Sequence, residues 1–386
     1  MSSVLISGAS IAGPALAFWL RRHGVDVTVV EKSHTLRGGG YPIDIRGTAL
    51  DVVERMGLLP RLREAHVDTR RITFLNADGS QAASIRPESL IGGDGSDLEV
   101  RRGDLAEILY GTVRDDVEFL FDNTIVSMSE HSGGVDVTFR SGLERTYDHV
   151  IGADGLHSAV RALTFGPEEQ FHRYLGYCFA GFTLPNHLGL QQEALLWNEP
   201  GRAAALYAVG STENVHGFLS FTREEAPFGA FRDPQAQRDL VASVFADDGW
   251  ELPHLVKAMQ ASDDLFFDTV SQIRMPRWSS GRVALVGDAA YAPSFLTGQG
   301  SSLALVGAYV LAGNMSDFGA YERTIRPFVE ANQNLVDVGD AELFPGTAES
   351  LAARNANLRS RETMPAPASR PEHSAMTLPD FELLSP

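Results

Sequence analysis

The sequence predicts an α/β fold with a Rossmann-like dinucleotide-binding half, and three adjoining observations carry that prediction. Val4-Leu5-Ile6 is a short apolar run suited to a buried parallel strand, and it leads straight into Gly8-Ala9-Ser10-Ile11-Ala12-Gly13. A helix over Ala15–His23 follows, with Pro14 in its first turn, where a missing N–H costs little, and Gly24 placed to end it. Val25–Val30 then reads as a second strand, closed by Glu31.

Each part of this βαβ unit has a physical task. Gly8 permits the tight turn, and Gly13 lets helix and strand pack closely. The helix start offers free N–H groups and a positive dipole end to a pyrophosphate. Glu31 suits the hydroxyls of a ribose. Ser10 stands at the middle glycine position, where only a small residue lets backbone approach a phosphate. The hexapeptide alone also suits a turn in an unrelated α/β fold; the order strand, helix, strand, acid is what favours a nucleotide. Candidate contacts here are Gly8, Ser10, Ile11, Ala12, Gly13, Glu31 and Lys32.

Two later segments repeat the strand-into-glycine pattern. Val150-Ile151-Gly152-Ala153-Asp154-Gly155 ends in the helix start Leu156–Arg161, although Asp-Gly is also a common turn dipeptide. Arg282–Val286 runs into Gly287-Asp288, and Gly298-Gln299-Gly300 then opens an apolar helix over Ser301–Ala312. An Asp at a strand end can bind a sugar or ribityl hydroxyl, and a glycine-rich helix start can face an anionic flavin or phosphate.

Together these segments, with Arg102-Gly103-Asp104-Leu105, resemble the single-component FAD-dependent aromatic hydroxylases, the monooxygenases built like p-hydroxybenzoate hydroxylase. The match spans roughly residues 2 to 330, and the chain looks near the tetracycline-inactivating monooxygenases. The resemblance implies a discontinuous, GR2-type FAD-binding domain, an antiparallel-sheet substrate domain and a C-terminal bridging helix. It implies noncovalent FAD at the first motif, at Arg102, at Asp154 and Gly155, and at Gly287 and Asp288. Asp44, Pro293, Gly298, Gly300 and Ser301 are further candidate cofactor contacts. The loop with Gly38, Gly39 and Gly40 is expected to approach the flavin ring, with Asp44 and Arg46 pairing beside it. Tyr291 replaces the family's usual His after Gly-Asp-Ala-Ala, and Phe295 stands where a proline is usual. Substrate-side candidates are Tyr291, Phe295, Phe182 and Phe221.

The implied chemistry is reduction of FAD by NADPH or NADH, formation of a flavin C4a-hydroperoxide from O₂, and transfer of one oxygen atom to an aromatic or polyketide-like small molecule. No catalytic acid–base pair in the protein is required, because the cofactor carries the difficult chemistry. A flavin halogenase is disfavoured, since none of Trp19, Trp197, Trp250 and Trp278 lies in a Gly-Trp-x-Trp-x-Ile-Pro segment. Two readings stay open: an FAD-dependent reductase or dehydrogenase without oxygen transfer, and a non-catalytic FAD-binding protein.

The motifs lie far apart, so the expected layout is 1–70, 97–171 and 273–316 for the FAD-binding domain and 71–96 and 172–272 for the substrate domain. Within the latter, Asn76-Ala77-Asp78-Gly79 marks a hairpin, and Tyr177–Leu184, Ala203–Val209 and His216–Thr222 read as strands. Tyr321, Ile325, Phe328 and Val329 repeat at helical spacing, which predicts a C-terminal helix within 317–360. Five prolines from Pro365 to Pro386 predict a flexible tail over 361–386.

Composition narrows the partners. Lys and Arg number 32 against 50 Asp and Glu, a net charge of −18 that repels nucleic acid and anionic membranes. Cys178 is the single cysteine, so the chain has no intramolecular disulfide and no Cys-rich metal site, and no metal is expected. Apolar stretches are too short and broken for a spanning helix of about 20 residues, and the expected location is the cytoplasm.

Overall fold

Two sheets face one another across a cleft. The computed structural model describes residues 2–36, 40–87, 89, 97–208, 213–227, 233–245, 249–337, 343–362 and 369–381. The first sheet has six strands, in the order Ser279–Ser280, Val283–Leu285, His149–Gly152, Ser3–Ser7, Asp26–Val30 and Glu118–Leu120. All its pairs are parallel except the Ser279–Ser280 hairpin with Val283–Leu285. Its central strand is buried from Val4 to Ser7, as an apolar run covered on both faces should be. The helix Ala12–Arg22 lies against the helix Gly300–Ala312, whose residues Ser302–Ala312 are all buried.

The second sheet has seven strands, in the order Phe266–Ile273, His172–Pro185, Asn214–Thr222, Arg202–Ala208, Glu193–Glu199, Arg71–Leu75 and Gln81–Ile85. Only Glu193–Glu199 with Arg71–Leu75 pairs in parallel. The helices Pro234–Val244 and Leu252–Ala261 are associated with this sheet, and their buried residues Val241, Leu252, Leu255 and Met259 join Cys178, Phe182, Leu219 and Phe221 in one core. The opposite face of the sheet looks into the cleft. A two-stranded piece, Pro42–Ile45 with Leu98–Arg101, sits between the sheets.

Among the described residues, the segment 317–360 contains two long helices where one was expected. Phe318–Gln333 buries Tyr321, Ile325, Phe328 and Val329 in the first core. Ala348–Arg361 lies on Gln81–Ile85, with Leu358 buried and the Arg354 guanidinium 4.6 Å from the centroid of the Phe74 ring. The first ends at Gln333, and the second starts just beyond Pro345 and Gly346, where Thr347 and Ser350 form a capping box. The two helices therefore serve different sheets.

The expectation of a flexible tail is also corrected for residues 369–381. Thr48 Oγ1 donates to the Met376 carbonyl (2.8 Å), and Tyr309 Oη donates to the Pro379 carbonyl (2.6 Å). Arg55 pairs with Asp380 (2.8 Å), and Phe381 packs on the Tyr309 ring. His373 and Leu378 are buried. The prolines punctuate a segment held by its carbonyls, which proline retains. Among the described residues no helix is long and apolar enough to cross a membrane.

Leu378 is 6% exposed, so Leu378→Ala is expected to cost about 2–3 kcal/mol of stability. Removing residues 369–386 is expected to cost at least as much. Urea denaturation of both variants checks this, and unchanged midpoints would show that the segment contributes nothing.

Candidate functional site

A cavity of about 750 Å³ occupies the cleft. One end is walled by Gly8–Ala12 and Glu31, the middle by Arg102, Asp154 and Asp288, and the far end by Tyr207, Phe179, Phe218 and Leu196. It runs unbroken from the glycine turn to the inner face of the seven-stranded sheet.

Backbone crowding dictates the first turn. Gly8 has φ +109°, and a Cβ there would lie 2.4 Å from the Ala153 carbonyl oxygen. A Cβ on Gly13 would lie 1.9 Å from the Gly8 oxygen. Gly13 thus shapes the turn from behind and does not line the cavity. Gly287, with φ +65°, is likewise behind the wall, preceding the short helix Asp288–Tyr291. The helices Ala12–Arg22 and Gly300–Ala312 both start at the cavity without a side-chain cap. Ser158, Asp233, Asp317 and Thr347 cap the helices that follow them, while other helices such as Thr48–Arg55 and Leu252–Ala261 also start without a side-chain cap. The first-turn N–H groups at the cavity are left for an anionic ligand.

Glu31 accepts from the Ala9 and Ser33 amides, at 2.9 Å each, which fixes both carboxylate oxygens at the cavity rim. Ser10 earns its place where a glycine is usual: its Oγ accepts from Arg102 Nη2 (2.8 Å), steering that guanidinium toward the cavity. Ile11, Ala12, exposed Lys32, Gly155, Pro293, Gly298, Gly300 and Ser301 all line the wall. Asp154 accepts from the Ala159 amide (2.8 Å) and from Ser158 Oγ, so its carboxylate anchors the next helix. Burial raises its pKa. Asp288 faces the cavity, and enclosure raises its pKa while Arg102 opposes the shift. Asp44 pairs with Arg46 (2.7 Å); Arg46 is only 4% exposed while Asp44 is partly exposed, so this is a half-buried pair. Gly40 lies within the described residues; Gly38 and Gly39 lie outside them.

Of the substrate-side candidates, only Phe295 lines the cavity, edge-on to Phe179 at 5.0 Å. Tyr291 is buried behind the wall, its Oη 3.1 Å from Tyr321 Oη and its ring against Trp278. Phe182 and Phe221 face the helix-covered side of the seven-stranded sheet. Alternation along a strand explains the error: Phe179 and Phe218 are of opposite parity to Phe182 and Phe221 and look into the cavity. A composition of aromatics does not reveal which face looks into the cleft, although Cys178, Ala180, Phe182 and Leu184 mark one continuous apolar face.

Sequence reasoning also missed several polar groups in the wall. His157 lies between Glu168 (2.8 Å) and Asp268 (3.2 Å), which push its pKa up to about 10. Arg161, fully buried, donates to the same Glu168 (2.5 Å) and to the Ala289 carbonyl (3.0 Å). This chain of charges ties the Asp154-Gly155 segment to the strand Phe266–Ile273. Glu99 accepts from Tyr207 Oη (2.5 Å) and Thr69 Oγ1 (2.8 Å), and burial together with Asp44 raises its pKa to about 7. Arg370 and His373 of the C-terminal segment line the wall as well; burial, with the Arg46 and Arg370 charges, lowers the His373 pKa to about 4.

An FAD binding domain family model matches residues 1–318. An uncharacterized Mycobacterium tuberculosis protein is 44% identical over 90% of this chain and 95% of its own length. A flavin-dependent monooxygenase from an unknown prokaryotic organism is 39% identical over 91% of this chain and 94% of its own. The solved structure of tetracycline destructase Tet(51) superposes with a TM-score of 0.85, at 31% identity, over 99% of this chain and 100% of that one. The cradle fits the cofactor these names imply: two uncapped helix starts, a crowded glycine turn and a paired acid at its end.

The His157 bridge generates a pH prediction. Its imidazole holds a proton in the fold up to about pH 10, against an ordinary value of 6.5. The stabilisation is therefore full below about pH 6.5 and lost as pH rises through 10. The wild-type advantage over His157→Gln in urea denaturation is expected to shrink between those limits. A constant difference would mean that the imidazole carries no charge-dependent load.

Proposed function

The chain belongs to the FAD-binding, flavin-dependent monooxygenases, and from that premise we propose that it spends NADPH or NADH to hydroxylate a flat aromatic or polyketide-like molecule, tetracyclines being the first candidates. One observation carries the reading: a single cavity joins the nucleotide cradle to a chamber with aromatic walls and a floor of small residues. The chemistry that bound FAD supplies is hydride acceptance and activation of O₂.

The protein's own residues divide the remaining work. Glu31 holds the adenosine ribose, and the start of the helix Ala12–Arg22 takes the pyrophosphate beside Arg102. The start of the helix Gly300–Ala312 faces the flavin ring, with Asp44 beside Gly298. Phe179, Phe295 and Phe344 pack edge-on in series and keep water from that end. Ala194, Ala203 and Ala205 leave room above the inner sheet face for a broad ring system. The name of the Tet(51) relative supports the tetracycline choice, since its fold covers the whole chamber.

Incubation with ¹⁸O₂, NADPH and tetracycline tests the reading: one labelled oxygen is expected in the product. Turnover without label would favour a reductase. Glu31→Ala is expected to weaken FAD binding by about 1.5–3 kcal/mol, because a hydrogen bond to a charged group is lost; a dilution titration of flavin absorbance reads this. Phe295→Ala opens the aromatic series, so a larger share of NADPH should end as H₂O₂ in a peroxide assay. An unchanged share would remove Phe295 from the barrier.

A further inference from the structure

Most carboxylates that line the cavity are already committed. Glu31 is held by two amides, Asp154 by a helix start, Asp44 by Arg46, and Asp268 by His157. Asp288 stands against Arg102 in the nucleotide half. Glu99 differs in both place and partners. It projects from the strand Leu98–Arg101, beside the chamber lined by Ile72, Ala194 and Ala205. Its side-chain partners are the neutral hydroxyls of Tyr207 and Thr69, which themselves lie 3.3 Å apart. A carboxyl held by hydroxyls can gain or lose a proton without breaking an ion pair.

We propose that Glu99 takes the proton from an acidic hydroxyl, phenolic or enolic, of the bound substrate. The proposal rests on the monooxygenase reading above. In this step the substrate O–H bond breaks, its electron pair stays on the substrate oxygen, and the proton bonds to a Glu99 carboxylate oxygen. The resulting phenolate or enolate is richer in electrons at the carbon to be hydroxylated. The same proton returns to the product's oxygen. Tyr207 and Thr69 are positioning residues that aim the carboxylate.

The surroundings tune Glu99 for this role. Asp44, its partner across the two-stranded piece, and burial both disfavour its charge; Arg46, Tyr207 and Thr69 favour it. Asp97 on its own segment neighbours Arg46 (3.9 Å), and His66 accepts from the Glu99 amide through Nδ1 (3.2 Å). The balance leaves the carboxyl titrating at about 7. A group at that value accepts a proton readily and releases it again near neutral pH.

The test uses the FAD-loaded full chain, with tetracycline as the first compound and other phenols and enols after it, screened for stimulated NADPH oxidation. Glu99→Gln is expected to lower kcat about 100-fold at neutral pH with little change in KM. The rising limb of the wild-type pH profile near 7 should vanish. Tyr207→Phe should instead keep the limb and move it to higher pH, because a bond favouring the carboxylate is gone. A merely structural role for Glu99 would not move that limb. Without any substrate, carboxyl ¹³C NMR comparing wild type with Glu99→Gln should show one resonance titrating near 7. A Glu99→Gln enzyme with wild-type rate and profile, or a Glu99 resonance titrating in the ordinary carboxylate range, overturns the proposal and leaves the monooxygenase reading standing. Failure of every compound to stimulate NADPH oxidation overturns both.

Discussion

Everything in the nucleotide half depends on how tightly backbone meets backbone behind Ser7. The Gly8 amide donates to the Val30 carbonyl, and the Ala153 amide donates to the Ser7 carbonyl, each at 2.8 Å. These two bonds pull three parallel strands together at their carboxyl ends, and they leave no room for a side chain on Gly8 or Gly13. The helix that follows must therefore begin right at the strand tips. Its amides emerge where neighbouring strands diverge, which is where open parallel sheets bind ligands. Arg102, Glu31 and Asp154 are then placed by contacts to this same crossing: to Ser10, to Ala9 and to Ser7.

The second sheet answers a different constraint. Its strands have one face covered by helices and the other turned to the cleft, so every residue must belong to one face. Gly181 and Gly217 show the register at work. The Phe218 ring lies over Gly181 on the cleft side, while the Phe182 ring presses on Gly217 on the helix side. Glycine opposite phenylalanine lets each ring lie flat across two strands, which smooths both faces.

These two constraints explain what the sequence disclosed. Crowded glycines have a local signature, because strand, turn and helix follow one another within about thirty residues. The first motif, Asp154 and Asp288 were legible for that reason, while Phe295 was reached through the family resemblance. The inward face of the second sheet was not, since parity depends on which helices cover the sheet, and Pro234–Val244 and Leu252–Ala261 lie far along the chain. Tyr291 misled because its place after Gly-Asp-Ala-Ala, where the resembled family has His, does not report direction; the short helix Asp288–Tyr291 turns it away. Glu99 and His157 had no local signature at all. Each is defined by partners more than ten residues away in sequence or on another sheet. The docking of residues 369–381 was hidden because proline content reports local stiffness and says nothing of carbonyls aimed at Thr48 and Tyr309.

The docked C-terminal segment sets the timetable of assembly. The six-stranded sheet draws its strands from Ser3 to Leu285, and Arg370 and His373 complete the cavity wall from beyond both later helices. Synthesis from the amino end therefore delivers this part of the wall after every strand of both sheets. Contacts that join residues so far apart along the chain form slowly. A chain cut short before residue 369 lacks Arg370 and His373, and with them part of the cavity wall.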